Sequence, residues 1–274
     1  MKISKLNIIS VFGVLVLAMI VSSCGGNSSP KTSESTELKR SEVEKQVKEF
    51  VYPLPTSFEV TEMLNRIGAS YILTLSNEPT NVDKYFTEKS KALNLGVYGA
   101  DLSYASTYNQ KQQTIDFMNA SRRLIEELDI AEAVDVDLAE KIEANENNKE
   151  ALIELITNSF NDTYQYLNEN GRAGISMLVV SGSFIEGLYI ACNISEDTFN
   201  NKEMVSIIMK QKESLDKLVV VLKEHAEDPN VKDVVADLNK LHAIYNSVVD
   251  GAISVEQLAA IKAEVNSIRG KIVQ

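Results

Sequence analysis

The chain has 274 residues, 44% of them hydrophobic, with 39 acidic and 27 basic side chains and a formal net charge of −12. That length supports one large domain or two small ones with a substantial core, and 12 Gly, 5 Pro and no Trp exclude a collagen-like chain or a disulfide miniprotein. The acidic balance argues against nucleic acid, whose phosphates need a basic face, and against electrostatic docking on anionic lipid.

Residues 1–23 read as an export signal. Lys2 and Lys5 make a basic start, and positions 8–20 form an apolar run interrupted by Ser10 and Gly13. At 13 residues the run is too short to cross a bilayer as a helix, but it suits the apolar region of a signal peptide. Val21-Ser22-Ser23-Cys24-Gly25 follows directly.

This order resembles the lipobox of bacterial lipoproteins, in which the chain is cut before the cysteine. In that family the thiol receives diacylglycerol and the new amino terminus is acylated. The resemblance implies lipidation of Cys24 and a membrane as partner. One acyl chain holds a protein only marginally, at about 0.8 kcal/mol per buried methylene, whereas several on one residue make attachment effectively permanent. Cleavage would also remove Lys2 and Lys5 and leave the mature chain more acidic. In Gram-negative lipoproteins an Asp just after the cysteine signals inner-membrane retention, and acidic residues close behind it accompany surface display. Gly25-Gly26-Asn27-Ser28-Ser29-Pro30-Lys31 has neither, so the resemblance implies an outer-membrane anchor with the domain facing the periplasm. Residues 24–36 then comprise the lipidated cysteine and a Gly/Ser/Thr-rich tether with a mean reach of about 20 Å.

Residues 37–274 read as a single helical domain. Apolar side chains recur with a helical period and no run alternates as a strand would, so the fold class is all-α, a multi-helix bundle of about nine or ten helices. Leu38, Val43, Val47 and Phe50 make a first stripe, stopped by Pro53 and Pro55. Thr56-Ser57-Phe58-Glu59 reads as a capping box, with Leu64, Ile67, Tyr71, Ile72 and Leu75 as the buried face beyond it. Asn81, after Pro79, is the expected cap of the next helix. Segment 95–109 mixes small residues with tyrosines and places Asp101, Tyr104 and Tyr108 on one helical face.

Asp137-Leu138-Ala139-Glu140 and Ser254-Val255-Glu256-Gln257 repeat the capping-box pattern, and Asp228-Pro229 reads as a capping carboxylate before a proline at the first helical position. The polar segment 143–148 is the best candidate for a hinge, but it reads more readily as a link between two helices of one bundle. A long helix is expected over 149–168, with Leu152, Leu155, Ile156, Phe160 and Leu167 inward and Gly171 as its stop. Segment 173–192 is apolar almost all round, broken by Ser176, Ser181, Ser183 and Glu186. Its length suits a membrane span, but the internal acid and the soluble flanking helices make it a central helix of the bundle. Gly174, Gly182 and Gly187 would let neighbours approach it closely. Segments 95–109 and 173–192 share small residues, one acid and tyrosine, which leaves a duplicated helical hairpin open. The remaining stripes are Ile207, Ile208, Leu215, Leu218, Val219 and Leu222, then Val231, Val234, Leu238, Leu241 and Tyr245, then Leu258, Ile261, Val265 and Ile268.

The candidate binding residues are Asp101, Tyr104, Tyr108, Ser183, Glu186 and Tyr189. A carboxylate at Glu186 in apolar surroundings must be paired or shift its pKa. Two readings follow: a polar lining in an apolar pocket, or a structural pairing of Glu186 with an Arg or Tyr of a neighbouring helix among core tyrosines. Cys192 has no partner within the chain if Cys24 is lipidated, and it closes an apolar stretch with no His nearby, which makes it a small core residue. His225, near a helix end, and His242 are structural in this reading. No metal-binding His-Glu-x-x-His, phosphate loop or nucleophile elbow occurs, and Asp135-Val136-Asp137 lacks the spacing of a calcium loop. No catalytic residue, metal ligand or cofactor is assigned.

These features describe a lipid-anchored envelope protein that binds or scaffolds an envelope protein or a small ligand without catalysis. It resembles uncharacterised all-helical envelope lipoproteins, which imply no activity. One alternative is a periplasmic carrier of a small or apolar ligand, with the two small-residue helices as pocket walls. The other is an envelope hydrolase built on the carboxylates of Asp101 and Glu186.

Overall fold

The computed structural model describes residues 57–145, 148–196, 198–249 and 252–274. The signal segment, Cys24, the tether, the stripe from Leu38 to Phe50 and the capping residue Thr56 lie outside the described residues. Those described belong to one compact unit and contain nine α-helices and no β-strand. The helices are α1 (Ser57–Arg66), α2 (Glu88–Thr107), α3 (Lys111–Glu127), α4 (Leu138–Ala144), α5 (Lys149–Glu169), α6 (Ala173–Asn193), α7 (Lys202–Glu224), α8 (Lys232–Asn246) and α9 (Val255–Ile272). Short 3-10 turns occupy Leu73–Leu75, Pro79–Lys84, Ala131–Ala133 and Thr198–Asn200.

The two unusual segments become the centre of the bundle. α2 is buried without a break from Ala92 to Thr107, and α6 almost so from Ile175 to Cys192. They run in the same direction: Glu88 at the start of α2 pairs with Arg172 just before α6, and further along Asp101 lies beside Glu186. Their backbones touch where glycines face each other. A Cβ on Gly96 would fall 2.0 Å from the Val179 carbonyl oxygen, and one on Gly182 would fall 2.0 Å from that of Leu93. α6 is long and apolar enough for a bilayer, yet 94% of its most apolar stretch is buried against other helices. Its hydrophobicity is satisfied inside the protein.

The other helices wrap this pair. α1 and α9 lie against α6, α3 and α5 lie against α2, and α7 and α8 pack on one another beside α9. The expected stripes of α7, α8 and α9 are buried, as are Leu152, Ile156 and Leu167 of α5, while Leu155 and Phe160 are only half-buried. Gly171 ends α5 at a φ of +72°, with Arg172 N–H bonded to the Leu167 carbonyl in a Schellman closure. The same closure ends α1 at Gly68, α2 at Asn109 and α3 at Asp129, all with positive φ.

Local expectations fail at four places. α1 stops at Arg66 because Gly68 takes the left-handed conformation, so Tyr71, Ile72 and Leu75 pack from a loop and a 3-10 turn. Asn81 does not cap a helix; it sits inside the 3-10 turn Pro79–Lys84 and donates its amide to Asn77 Oδ1 at 2.8 Å. The cap of α2 is Thr87, in a capping box with Ser90. Asp137 precedes α4 without a side-chain bond, since Asp135 Oδ1 takes the Asp137 N–H at 2.9 Å. Asp228 likewise turns the chain by accepting from the Asn230 N–H at 2.8 Å, and α8 starts only at Lys232, beyond Pro229. In the last two an Asx turn stands where the cap was expected, built by Asp135 in the first and by Asp228 itself in the second. Ser254 and Gln257 do form the expected box on α9.

Candidate functional site

α2 and α6 bring two of the expected residues together at full burial: Asp101 and Glu186 are each 0% exposed. α9 supplies the counter-charge. Arg269 donates from Nε to Glu186 Oε2 at 2.8 Å and from Nη2 to Oε1 at 2.9 Å, and Nη2 also reaches the Leu75 carbonyl at 3.0 Å. Its guanidinium lies 4.1 Å from the ring centre of Tyr189, a cation–π contact. Asp101 Oδ2 accepts from the Asn77 N–H at 3.0 Å, while Oδ1 receives no donor.

Burial, and then the charge of Glu186, push Asp101 well above the usual carboxylate range. Burial also raises Glu186, but Arg269 and a hydrogen bond from Asp101 oppose the rise. Burial and the neighbouring charge both favour the neutral form of Asp101, whose proton would then serve the hydrogen bond that it shares with Glu186. One proton, one carboxylate and one guanidinium leave the cluster neutral, as its burial demands.

The remaining candidates go elsewhere. Tyr104 and Tyr108 join Tyr71 in a group with ring centres 4.5–5.7 Å apart, where the Tyr104 hydroxyl accepts from the Ile72 N–H at 2.8 Å. Ser183 Oγ meets Ser57 Oγ at 3.3 Å under α1. Cys192 is 1% exposed, and burial pushes its thiol up to about 12, which suits a core residue. His225 is the C-cap of α7, and His242 lies 2.6 Å from Asp216 Oδ1 between α8 and α7. Among the described residues no group of His, Cys, Asp or Glu could hold a metal ion.

A void in the bundle lies away from where the sequence places a pocket. A cavity of about 330 Å³ lies between α2, α3, α5 and the segment 131–144 that contains α4. Leu95, Gly99 and Leu102 form its α2 wall at helical spacing, on a face turned away from Asp101. Met118 and Ile125 of α3, Ile142 of α4 and Ile156 and Phe160 of α5 close it, with Val179 the contribution of α6. Gly99 makes room for Phe160, because a Cβ there would come 2.4 Å from the ring. None of the six expected binding residues lines this space. The two small-residue helices are not opposite walls of a pocket; their shared seam is closed, and a side of α2 faces the void.

Charges gather at the cavity's margin. Arg122 pairs with Glu126 at 3.4 Å, and Asp135 pairs with Lys141. Beside them Val136 is 92% exposed. On the wall, Ser121 is only 9% exposed and its hydroxyl has no partner. Sequence patterning misses this site, since each residue reads as an ordinary core or surface position of its own helix. The vacancy exists only between helices. No family model, curated protein or solved structure matches the chain.

Proposed function

We propose that the chain is a lipid-anchored protein of the bacterial cell envelope whose helical domain carries a small, largely apolar ligand between α2, α3, α4 and α5. The cavity of about 330 Å³ carries this reading. Protein interiors leave few voids larger than a water, and ligand pockets begin at about 300 Å³ with mostly apolar walls and a few polar groups. The order of basic start, apolar run and Cys24 supports the anchor. A tether reaching about 20 Å would keep the domain beside a membrane, where apolar molecules concentrate. A hydrolase would need Asp101 and Glu186 to meet a substrate, but both are sealed away from the cavity and Glu186 is committed to Arg269.

Filling the cavity tests the carrier reading. The fluorescent hydrocarbon naphthalene is titrated into the full chain carrying Cys24→Ala, prepared without detergent, and into the same chain with Ala139→Trp. Ala139 lines the cavity from the short helix α4, where a larger side chain can enter the void with little disturbance of the bundle. Saturable binding should be lost in the Trp variant while its circular dichroism and thermal midpoint are kept. Equal binding in both chains would place the ligand elsewhere and end the proposal.

A further inference from the structure

We infer that residues 131–144 form a lid over the cavity, which swings out as one piece to pass the ligand and closes behind it; the inference rests on the carrier reading above. The way in runs through the wall that is held least firmly. Three walls belong to the long helices α2, α3 and α5, and α2 is further fixed by its backbone contacts with α6 at Gly96 and Gly182. The fourth is the segment 131–144, which contributes Val134, Leu138, Ala139 and Ile142.

This wall is bound to itself more than to the bundle. Asp135 Oδ1 accepts from the Asp137 N–H at 2.9 Å, the Asp135 carbonyl accepts from the Leu138 N–H at 3.0 Å, and the same carboxylate pairs with Lys141. Asn145 completes the unit by donating from Nδ2 to the Lys141 carbonyl at 2.8 Å. Among the described residues one side-chain hydrogen bond crosses from the segment to a neighbouring helix, from the Tyr166 hydroxyl to Glu132 Oε2 at a long 3.4 Å. Of the segment's apolar side chains only Ala133 and Ile142 are buried, while Val136 is 92% exposed.

Space lies on both sides of α4. Ile142 lines the large cavity and also a second void of about 20 Å³, shared with Thr114 and Ile115 of α3 and Leu152 of α5. A helix with vacancies on two sides gives up few contacts when it leaves its seat. Its flanks are anchored. Ile130 is 0% exposed beyond the Asp129 turn, and Asn148 caps α5 by accepting from the Ala151 N–H at 3.2 Å. A self-contained piece, weakly seated between fixed ends, is built as a lid.

Locking the segment tests this. In the full chain carrying Cys24→Ala, Arg122→Cys and Val136→Cys put one thiol on α3 and one on the lid, both exposed at the cavity's margin. A short bismaleimide joins them, N-ethylmaleimide caps them separately as the control, and Cys192, 1% exposed, stays out of reach. Linking should slow both uptake and release of naphthalene in stopped-flow fluorescence at least about tenfold, with the dissociation constant kept within about threefold. Hydrogen exchange of the amides of α4 should slow by a similar factor, while that of α2 and α6 should not change. Uptake as fast in the linked chain as in the capped one overturns the lid. Slower uptake with unchanged exchange in α4 overturns it too, because the linker then only obstructs the mouth. Failure of naphthalene to bind either the capped chain or its parent would instead remove the carrier reading itself.

Discussion

Asp101 and Glu186 stand side by side out of reach of water, and a single guanidinium can neutralise only one of them. The proton therefore stays on Asp101, which has no ion partner, while Glu186 keeps its charge against Arg269. Because the fold raises the pKa of Asp101, its contribution to stability is whole below the ordinary carboxylate value. It is lost as pH rises toward the folded value, since the unfolded chain gives up the proton first. Asp101→Asn imitates the protonated form. It should flatten this loss and raise stability at neutral pH, by on the order of 1.4 kcal/mol for each unit by which the pKa is displaced. Glu186→Gln should do the opposite and cost about 3–5 kcal/mol, because it leaves Arg269 without its partner in the interior. Urea denaturation of both variants from pH 4 to 8 checks the pair, and the same sign for both would refute the proton assignment. The sequence marks both acids, since each interrupts an apolar helix. It does not mark Arg269, which lies 83 residues from Glu186 on a helix that also carries Lys262 and Lys271.

At the scale of elements, the seam between α2 and α6 depends on two absent side chains. Gly182→Ala would press a methyl group against the Leu93 carbonyl, and both contacting groups belong to helix backbones that cannot yield alone. A loss of about 3 kcal/mol is expected, at the upper end of overpacking costs. Gly270, within α9, has nothing within 4 Å of the same added carbon, so Gly270→Ala should instead gain about 0.5–1 kcal/mol from helix propensity. Chemical denaturation of the two variants should give opposite signs; a matching loss at both would mean that the seam is not special. Most helices are legible in the sequence because each needs one apolar stripe, and the stripes of α7, α8 and α9 all point inward. Their ends are less so. Asn109 and Asp129 terminate helices by adopting positive φ, and Asp135 and Asp228 build turns where a cap was expected. Short polar side chains serve both purposes, and only the path of the chain selects between them.

For the molecule as a whole, a net charge of −12 and a lipidated Cys24 would pull in different directions: the domain avoids anionic surfaces while its terminus is held in the bilayer. The anchor alone would then decide where the protein sits. Cys24→Ala should move the protein from the membrane pellet to the soluble fraction, followed by immunoblotting after fractionation. Retention in the pellet would show that another part of the chain holds it. α6 is the obvious competitor by composition, but its apolar face is spent on α2, α1, α5, α7 and α9, which leaves little to offer lipid.

By itself the sequence determines that this chain is all-α and that its apolar segment 173–192 is a central helix, whereas the equal burial of α2 emerges only in the fold. It also determines that Cys192 and the later stripes are core, because periodicity, size and hydrophobicity are local properties that each helix carries with it. Whether Asp101 and Glu186 would meet, which cation would answer them, and where a void would remain were decided only by the tertiary structure. Those outcomes depend on the distance and angle between helices remote in sequence. The backbone contacts at Gly96 and Gly182 close one side of α2, and the packing of α3, α4 and α5 leaves the other side incompletely filled.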